Sequence, residues 1–167
     1  LKKWRLAQIR KFPTFEFKRL DITRLDALKE LFQQYNFDTV MNLAARAGVR
    51  ASVENPWDYL ETNIKGTLNL LELCKDFGVK KFLLASTSSI YGEGKMPFSE
   101  SQKTDFQLSP YAASKKGAES LAYTYHYLYG IDITIPRYFT VFGPAGRPDM
   151  SIFKFIHRIA EGLPIPV

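Results

Sequence analysis

Ser86-Thr87-Ser88-Ser89-Ile90-Tyr91-Gly92, followed further on by Ser109-Pro110-Tyr111-Ala112-Ala113-Ser114-Lys115, is the stretch around which this chain is organised. The hydroxyl cluster closes an apolar run. Ser109-Pro110 reads as a helix N-cap with proline at the first helical position, so Tyr111 and Lys115 fall one turn apart on one helix face. That spacing has a chemical use. A tyrosine hydroxyl, with a free pKa of about 10, is a poor base at neutral pH unless a cation stabilises the phenolate, and a lysine four residues on supplies one. The hydroxyl of Thr87, held where a strand ends, is suited to share a substrate proton with that phenolate. The three side chains form a candidate Thr/Tyr/Lys proton-transfer unit.

Composition narrows the class. With 46% hydrophobic and 14% aromatic residues among 167, the chain can bury one real core and is not of disordered type. Its single cysteine, Cys74, excludes an internal disulfide and fits a reducing, cytoplasmic setting; its place in an apolar helical pattern marks a core thiol. His126 and His157 have no Cys or His at ligand spacing, so no metal site is expected. No apolar run reaches membrane-span length, and no membrane association is expected. The net charge of +6 suits an anionic ligand, but the basic residues are interspersed with acids rather than gathered in a stripe. Nucleic acid is therefore not an expected partner.

In chain order, Leu1 to Arg10 reads as a basic helix stopped by Pro13, and Phe15 to Leu20 alternates as a strand does. After a Thr23 cap, Leu25, Leu28, Leu31, Phe32 and Tyr35 recur at helical spacing. Thr39 to Ala44 is a short apolar strand. Asn55-Pro56 starts a long helix with Trp57, Leu60, Ile64, Leu68 and Leu71 on its expected buried face, capped by Gly78. Lys81 to Ala85 predicts a strand, Tyr111 to Tyr129 a helix with Gly130 beyond it, Ile131 to Phe139 a strand, and Met150 to Glu161 a final helix. Pro136 removes a ladder donor and marks an edge or bulge in the last strand.

Strands alternating with such helices imply right-handed crossovers and an α/β, doubly wound, Rossmann-like parallel sheet. Ligands bind beyond the carboxyl ends of strands in such sheets. Asp21-Ile22, 44–48, Ser86 to Ser89 and Thr140 to Pro144 each follow an expected strand, so four loops are expected to converge on one edge.

The YxxxK pair, Tyr91-Gly92, the upstream hydroxyls and Arg137-Tyr138-Phe139-Thr140-Val141-Phe142-Gly143-Pro144 resemble, in order and spacing, the extended short-chain dehydrogenase/reductase family, specifically its nucleotide-sugar epimerases and dehydratases. The resemblance covers nearly the whole chain. It implies NAD as cofactor, with Asp21 and Ile22 at the adenine and Leu43, Ala44 and Ala45 letting the backbone approach the phosphates and ribose. Asn63 matches an asparagine supporting the active-site backbone, and Ala85, Tyr111, Lys115 and Tyr138 complete the cofactor set. Asn42 stands where histidine is more usual, a change expected to matter little. Thr87, Tyr111 and Lys115 match the family's catalytic residues, which implies that Tyr111 takes a proton from a sugar 4-hydroxyl as hydride passes to NAD and later returns to the opposite face.

Residues after Thr87 decide within the family. The dehydratases carry Asp-Glu there, whereas this chain has Ser88-Ser89, neutral donors that can hold an anion. Thr140 stands where UDP-glucose 4-epimerases often have asparagine. The segments 44–50 and 142–150 resemble those of UDP-glucuronate 4-epimerases, which implies that Thr87, Ser88, Ser89 and Thr140 hold a C5 carboxylate and Arg147 supplies a charged donor. The division expected is 1–143 for a partial NAD-binding domain and 144–167 for the start of a sugar-nucleotide region. UDP-glucose as substrate, another epimerase or dehydratase activity, and a noncatalytic binding or oligomerisation module are the alternatives. A homodimer through the YxxxK helix and its long neighbour is implied, with Leu121, Tyr125 and Leu128 as candidate contacts.

Two features depart from the family. No GxxGxxG pyrophosphate loop occurs in the chain, and most of the C-terminal substrate domain is not represented. The 167 residues alone are therefore expected to be inactive and to bind NAD weakly; micromolar affinity by calorimetry on this isolated stretch would contradict that.

Overall fold

The structure is a computed structural model and describes residues 2–165. Leu1 of the expected first helix, and residues 166 and 167 of the expected 144–167 region, lie outside the described residues. Contacts divide the chain into two compact units, one comprising Leu20–Phe139 and the other Leu1–Arg19 with Thr140–Val167.

The larger unit is built on parallel strands. β1 (Thr39–Asn42) pairs with β2 (Lys81–Leu84) in the register Thr39↔Lys81 to Asn42↔Leu84, and β2 pairs with β4 (Asp132–Thr134). A second parallel pair joins β3 (Ser86–Thr87) to β5 (Arg137–Tyr138). The expected Ile131 to Phe139 strand is thus two strands, broken at Ile135-Pro136 because proline lacks the ladder donor; the Pro136 carbonyl instead accepts from Ser86 N at 2.8 Å. Helices α2 (Leu25–Gln34), α5 (Gly66–Asp76) and α6 (Pro110–Tyr129) cover the first sheet, and Phe82, Leu71, Leu73, Leu84, Cys74 and Ala122 form its core.

Local chemistry explains the helix limits. Ser109 accepts from Ala112 N at 3.1 Å, Pro110 opens α6, and Gly130 ends it at φ 68° with its N–H on His126 O. At the end of α5, Val79 N bonds Cys74 O and Gly78 N bonds Lys75 O, a Schellman arrangement with Gly78 at φ 69°.

Several expectations are corrected. Phe15 to Leu20 forms no strand, and its residues are exposed; alternation reports two faces but not a pairing partner, and no described strand lies alongside it. Thr23 does not cap α2. Arg24 occupies that position without a side-chain bond, and Asp21 Oδ1 accepts from Thr23 N at 2.9 Å. The strand expected to reach Ala44 ends at Asn42. A short helix, α3 (Val49–Glu54), occupies a segment with no helical expectation. The long helix from Pro56 is composite: α4 (Trp57–Tyr59), a π-helical turn at Leu60–Lys65, then α5. The wider turn changes the helix phase, so Trp57 (74% exposed) and Leu60 point to solvent while Tyr59, Asn63 and Thr67 turn inward.

The smaller unit contains α1 (Lys2–Ile9), the irregular segment after it, and α7 (Ser151–Ala160). Neither helix has a buried residue.

Ser109→Ala should lower stability by about 1 kcal/mol in urea titration, the usual cost of an N-cap. Amide exchange should rise first at Ala112 and its neighbours, the turn that carries Tyr111.

Candidate functional site

The strands of the larger unit end in loops whose backbones are tied together by side chains rather than by sheet. Asn42, the last residue of β1, is buried; its Oδ1 accepts from Ala44 N at 3.1 Å and its Nδ2 donates to Thr67 Oγ1 at 3.1 Å. Asparagine at this position therefore shapes the loop that follows, contrary to the expectation that it matters little. Thr67 Oγ1 donates in turn to Asn63 O at 2.7 Å.

Asn63 is the hub. From the π-helical turn its Oδ1 accepts from Arg46 N at 2.8 Å, and its Nδ2 lies 3.0 Å from Arg46 O and 2.9 Å from Ser114 Oγ. Ser114 Oγ donates to Tyr111 O at 2.8 Å. A continuous series of hydrogen bonds thus runs from the end of β1, through the 43–48 loop, to the first turn of α6. Leu43, Ala44 and Ala45 are exposed on that loop. Tyr59, which the sequence reading did not single out, donates to Gly48 O at 2.9 Å and sets its ring edge-on to Tyr111, centroids 6.1 Å apart.

The Asp21-Ile22 pair is held from α5. Asn69 Nδ2 donates to Ile22 O at 2.9 Å, and Ile22 lies so close to Gly66 that a Cβ there would stand 2.6 Å from its side chain. Asp21 remains exposed, and the Thr23 N–H bonded to it lowers its carboxyl pKa below the usual value.

On the other side of the sheet edge, Ala85 N donates to Asn42 O at 3.1 Å, and β3 brings Ser86 and Thr87 to buried positions. Thr87 caps a 3-10 turn, Ser88–Tyr91: its Oγ1 accepts from Ser89 N at 3.2 Å and lies 3.2 Å from Ser89 Oγ, to which it donates. A hydroxyl has one proton, so the Thr87 proton must leave Ser89 Oγ before it can turn toward another oxygen. Ser86 Oγ is buried with no hydrogen-bond partner among the described residues, and no sequence signal separated it from its neighbours.

Tyr111 is half-buried on α6, and Lys115, one turn on, is only 5% exposed. Burial pushes the Lys115 ammonium down to about 8, against the opposing pull of Glu119. It has no hydrogen-bond partner among the described residues. Glu119 itself, 6% exposed, holds Arg137 through Nε to Oε1 at 3.1 Å and Nη2 to Oε2 at 3.0 Å. Tyr138, next to Arg137 on β5, is exposed. Thr87, Ser88, Ser89, Tyr111 and Lys115 thus all belong to the larger unit. Thr140 and Arg147 belong to the smaller one, where both are exposed and Arg147 Nε donates to Asp149 Oδ1 at 3.0 Å.

Among the described residues no three His, Cys, Asp or Glu side chains gather as for a metal, and no helix is long and apolar enough to cross a membrane.

Known proteins share this arrangement. The chain is 63% identical over all of its 167 residues to a UDP-glucuronate 4-epimerase of Thermodesulfobacterium geofontis, of which it covers 52%. It superposes with TM-score 0.88 at 39% identity on a Bacillus cereus UDP-glucuronic acid 4-epimerase crystallised with UDP-glucuronic acid and NAD, over 98% of this chain and 51% of that one. A Thermus thermophilus UDP-glucose 4-epimerase complexed with NAD matches with TM-score 0.85 at 34% identity, over 93% of this chain and 52% of that one. The chain spans about half the length of these relatives. The model of the NAD dependent epimerase/dehydratase family matches residues 2–167. A parallel α/β unit with YxxxK on a helix against a hydroxyl-bearing strand end, matched along almost its whole length, belongs to the NAD dependent epimerase/dehydratase family.

Proposed function

We propose that the intact protein carrying this chain interconverts nucleotide sugars at C4, acting on UDP-glucuronate to give UDP-galacturonate. The observation that supports it most is the buried Lys115 ammonium one turn from Tyr111, in a chain 63% identical to a UDP-glucuronate 4-epimerase. A cation largely withdrawn from water, with no hydrogen-bonded partner among the described residues, is costly, and a polar ligand at that place would lower the cost. NAD fits that need. Lys115 would meet its ribose, Asp21 and Ile22 its adenine end, and the exposed backbone at Leu43, Ala44 and Ala45, with Asn63 behind it, its phosphates; Ala85 and Tyr138 flank the same edge. When bound, NAD supplies the acceptor and donor for the C4 hydride.

The chain's own residues do the rest. Tyr111 takes the proton of the 4-hydroxyl, and Lys115 supplies the positive charge that favours a phenolate. Thr87 directs its hydroxyl proton toward the same oxygen. Ser88 and Ser89 donate hydrogen bonds to the C5 carboxylate, and the family resemblance implies Thr140 and Arg147 as further donors to the substrate. Residues 1–143 then form the cofactor part and 144–167 the start of the sugar-nucleotide part. A cytoplasmic homodimer completes the reading. It is supported by the lone, buried Cys74 and by the exposed Tyr123, Tyr127 and Leu128 on α6, whereas Tyr125, a candidate contact from sequence, is in the core.

The test is proton NMR of UDP-glucuronic acid incubated with the intact protein and NAD. UDP-galacturonic acid should appear, and Tyr111→Phe should lower the rate by about 10²–10⁴-fold, the usual share of acid–base catalysis. Conversion of UDP-glucose alone would retain the mechanism and remove the carboxylate role of Ser88, Ser89, Thr140 and Arg147. Turnover of neither would leave the noncatalytic module.

Lys115 also makes stability depend on pH. Its folded value of about 8 lies below the ordinary 10.5, so between these the unfolded chain holds the extra proton. Without NAD, Lys115 should therefore contribute a gain in stability as pH rises through that window, by roughly 3 kcal/mol at most, against the opposite contributions of Cys74 and Tyr125, whose pKa values burial raises. Lys115→Met should lack this rise in urea titrations at pH 8 and pH 10.

A further inference from the structure

Arg137 has more partners than any structural ion pair requires. Besides its two bonds to Glu119, its Nη1 lies 3.3 Å from Tyr91 Oη and 3.3 Å from Glu100 O, and its guanidinium carbon sits 5.2 Å over the Tyr91 ring. Tyr91 is buried and stacked on Phe98 at 4.9 Å. Along the backbone, Arg137 is the register partner of Ser86, and Tyr138 that of Thr87. Arg137 therefore grips the Ser86–Tyr91 segment at both ends, by strand pairing at one and through the Tyr91 side chain at the other. The anchor for that grip is Glu119, four residues after Lys115 on the helix that also carries Tyr111.

We propose that Glu119 and Arg137 are positioning residues: together they clamp the Thr87-bearing turn to α6 and so set the Thr87 hydroxyl against Tyr111 and Lys115. The proposal rests on the epimerase reading for its effect on rate. Among the described residues, the hydrogen bonds of Thr87 itself are those of the short β3–β5 pairing and of its own 3-10 turn, two weak elements, although the turn also buries Ile90. A fork of two charge-assisted bonds, with the carboxylate 6% exposed, is the strongest side-chain contact in this region and has the directionality that positioning requires. Misplacing a reacting group by about 1 Å costs on the order of 10²-fold in rate. The same carboxylate opposes the burial that pushes the Lys115 proton off.

The experiment compares Glu119→Gln, Arg137→Lys and the double variant with wild type in the intact protein, by kinetics per bound NAD and by amide exchange. The clamp predicts that kcat falls about 10–100-fold in Glu119→Gln while KM for the nucleotide sugar stays within about twofold. Arg137→Lys, which keeps the charge but loses the fork, should fall as far, and the double variant no further than the worse single one. Amides of residues 86–91 should exchange faster in each variant while those of 112–118 do not. Unchanged exchange at 86–91 overturns the clamp whether or not the protein is an epimerase. Faster exchange with kcat per bound NAD unchanged overturns its catalytic role. If the wild type turns over no nucleotide sugar, the epimerase reading falls and the rate effect with it, and exchange still decides the clamp.

Discussion

The Asn63 carboxamide is the point on which the sheet edge depends. Parallel strands stop at their carboxyl ends and leave loop backbone that no ladder can satisfy, and such groups must find side chains. One amide turned inward by a π-helical turn meets both the N–H and the carbonyl of Arg46 and reaches Ser114 on α6. Removing it would leave the Arg46 backbone and the buried Ser114 hydroxyl without this partner, the buried group at a cost of about 1–3 kcal/mol. The loop beside β1 and the turn bearing Tyr111 are thus one structure, although 48 and 111 are far apart in sequence.

A second constraint is steric. Gly66 begins α5 where a Cβ would collide with Ile22 at 2.6 Å, so the residue keeps the Asp21-Ile22 loop against the helix. Asn69, one turn on, secures the same loop through Ile22 O at 2.9 Å. The composite helix therefore serves two loops with its two halves, the π-helical turn holding 46–48 and α5 holding 21–22.

Electrostatics divides along the same helix, α6. Lys115 lies buried and without a hydrogen-bonded partner among the described residues, and burial drives its ammonium pKa below the ordinary value. Glu119, one turn later, spends its charge on Arg137 instead. An i,i+4 Lys–Glu pair would ordinarily join on an exposed helix. Here Arg137 outcompetes the lysine because its fork matches both carboxylate oxygens, and that preference leaves Lys115 unpaired.

Local rules were enough to read much of this chain. Ser109-Pro110 marked the start of α6, Gly78 and Gly130 the helix ends, and Pro136 an edge or bulge where the strand in fact breaks in two, because caps and proline act through the nearest few backbone groups. The pairing of Tyr111 with Lys115 followed from helical spacing alone. What tertiary structure decided was everything that needs a distant partner. Phe15 to Leu20 alternates but pairs with no described strand, and the N-cap of α3, Gly48, is held from Tyr59. The π-helical turn moved Trp57 and Leu60 outward, since one added residue per turn rotates the faces that a 3.6-residue period assigns. Asn42 and Glu119 look in sequence like any polar residue, and Asn63 stands out only through the family resemblance; their roles arise when long-range folding buries them, because burial is what turns a hydrogen bond from optional to obligatory.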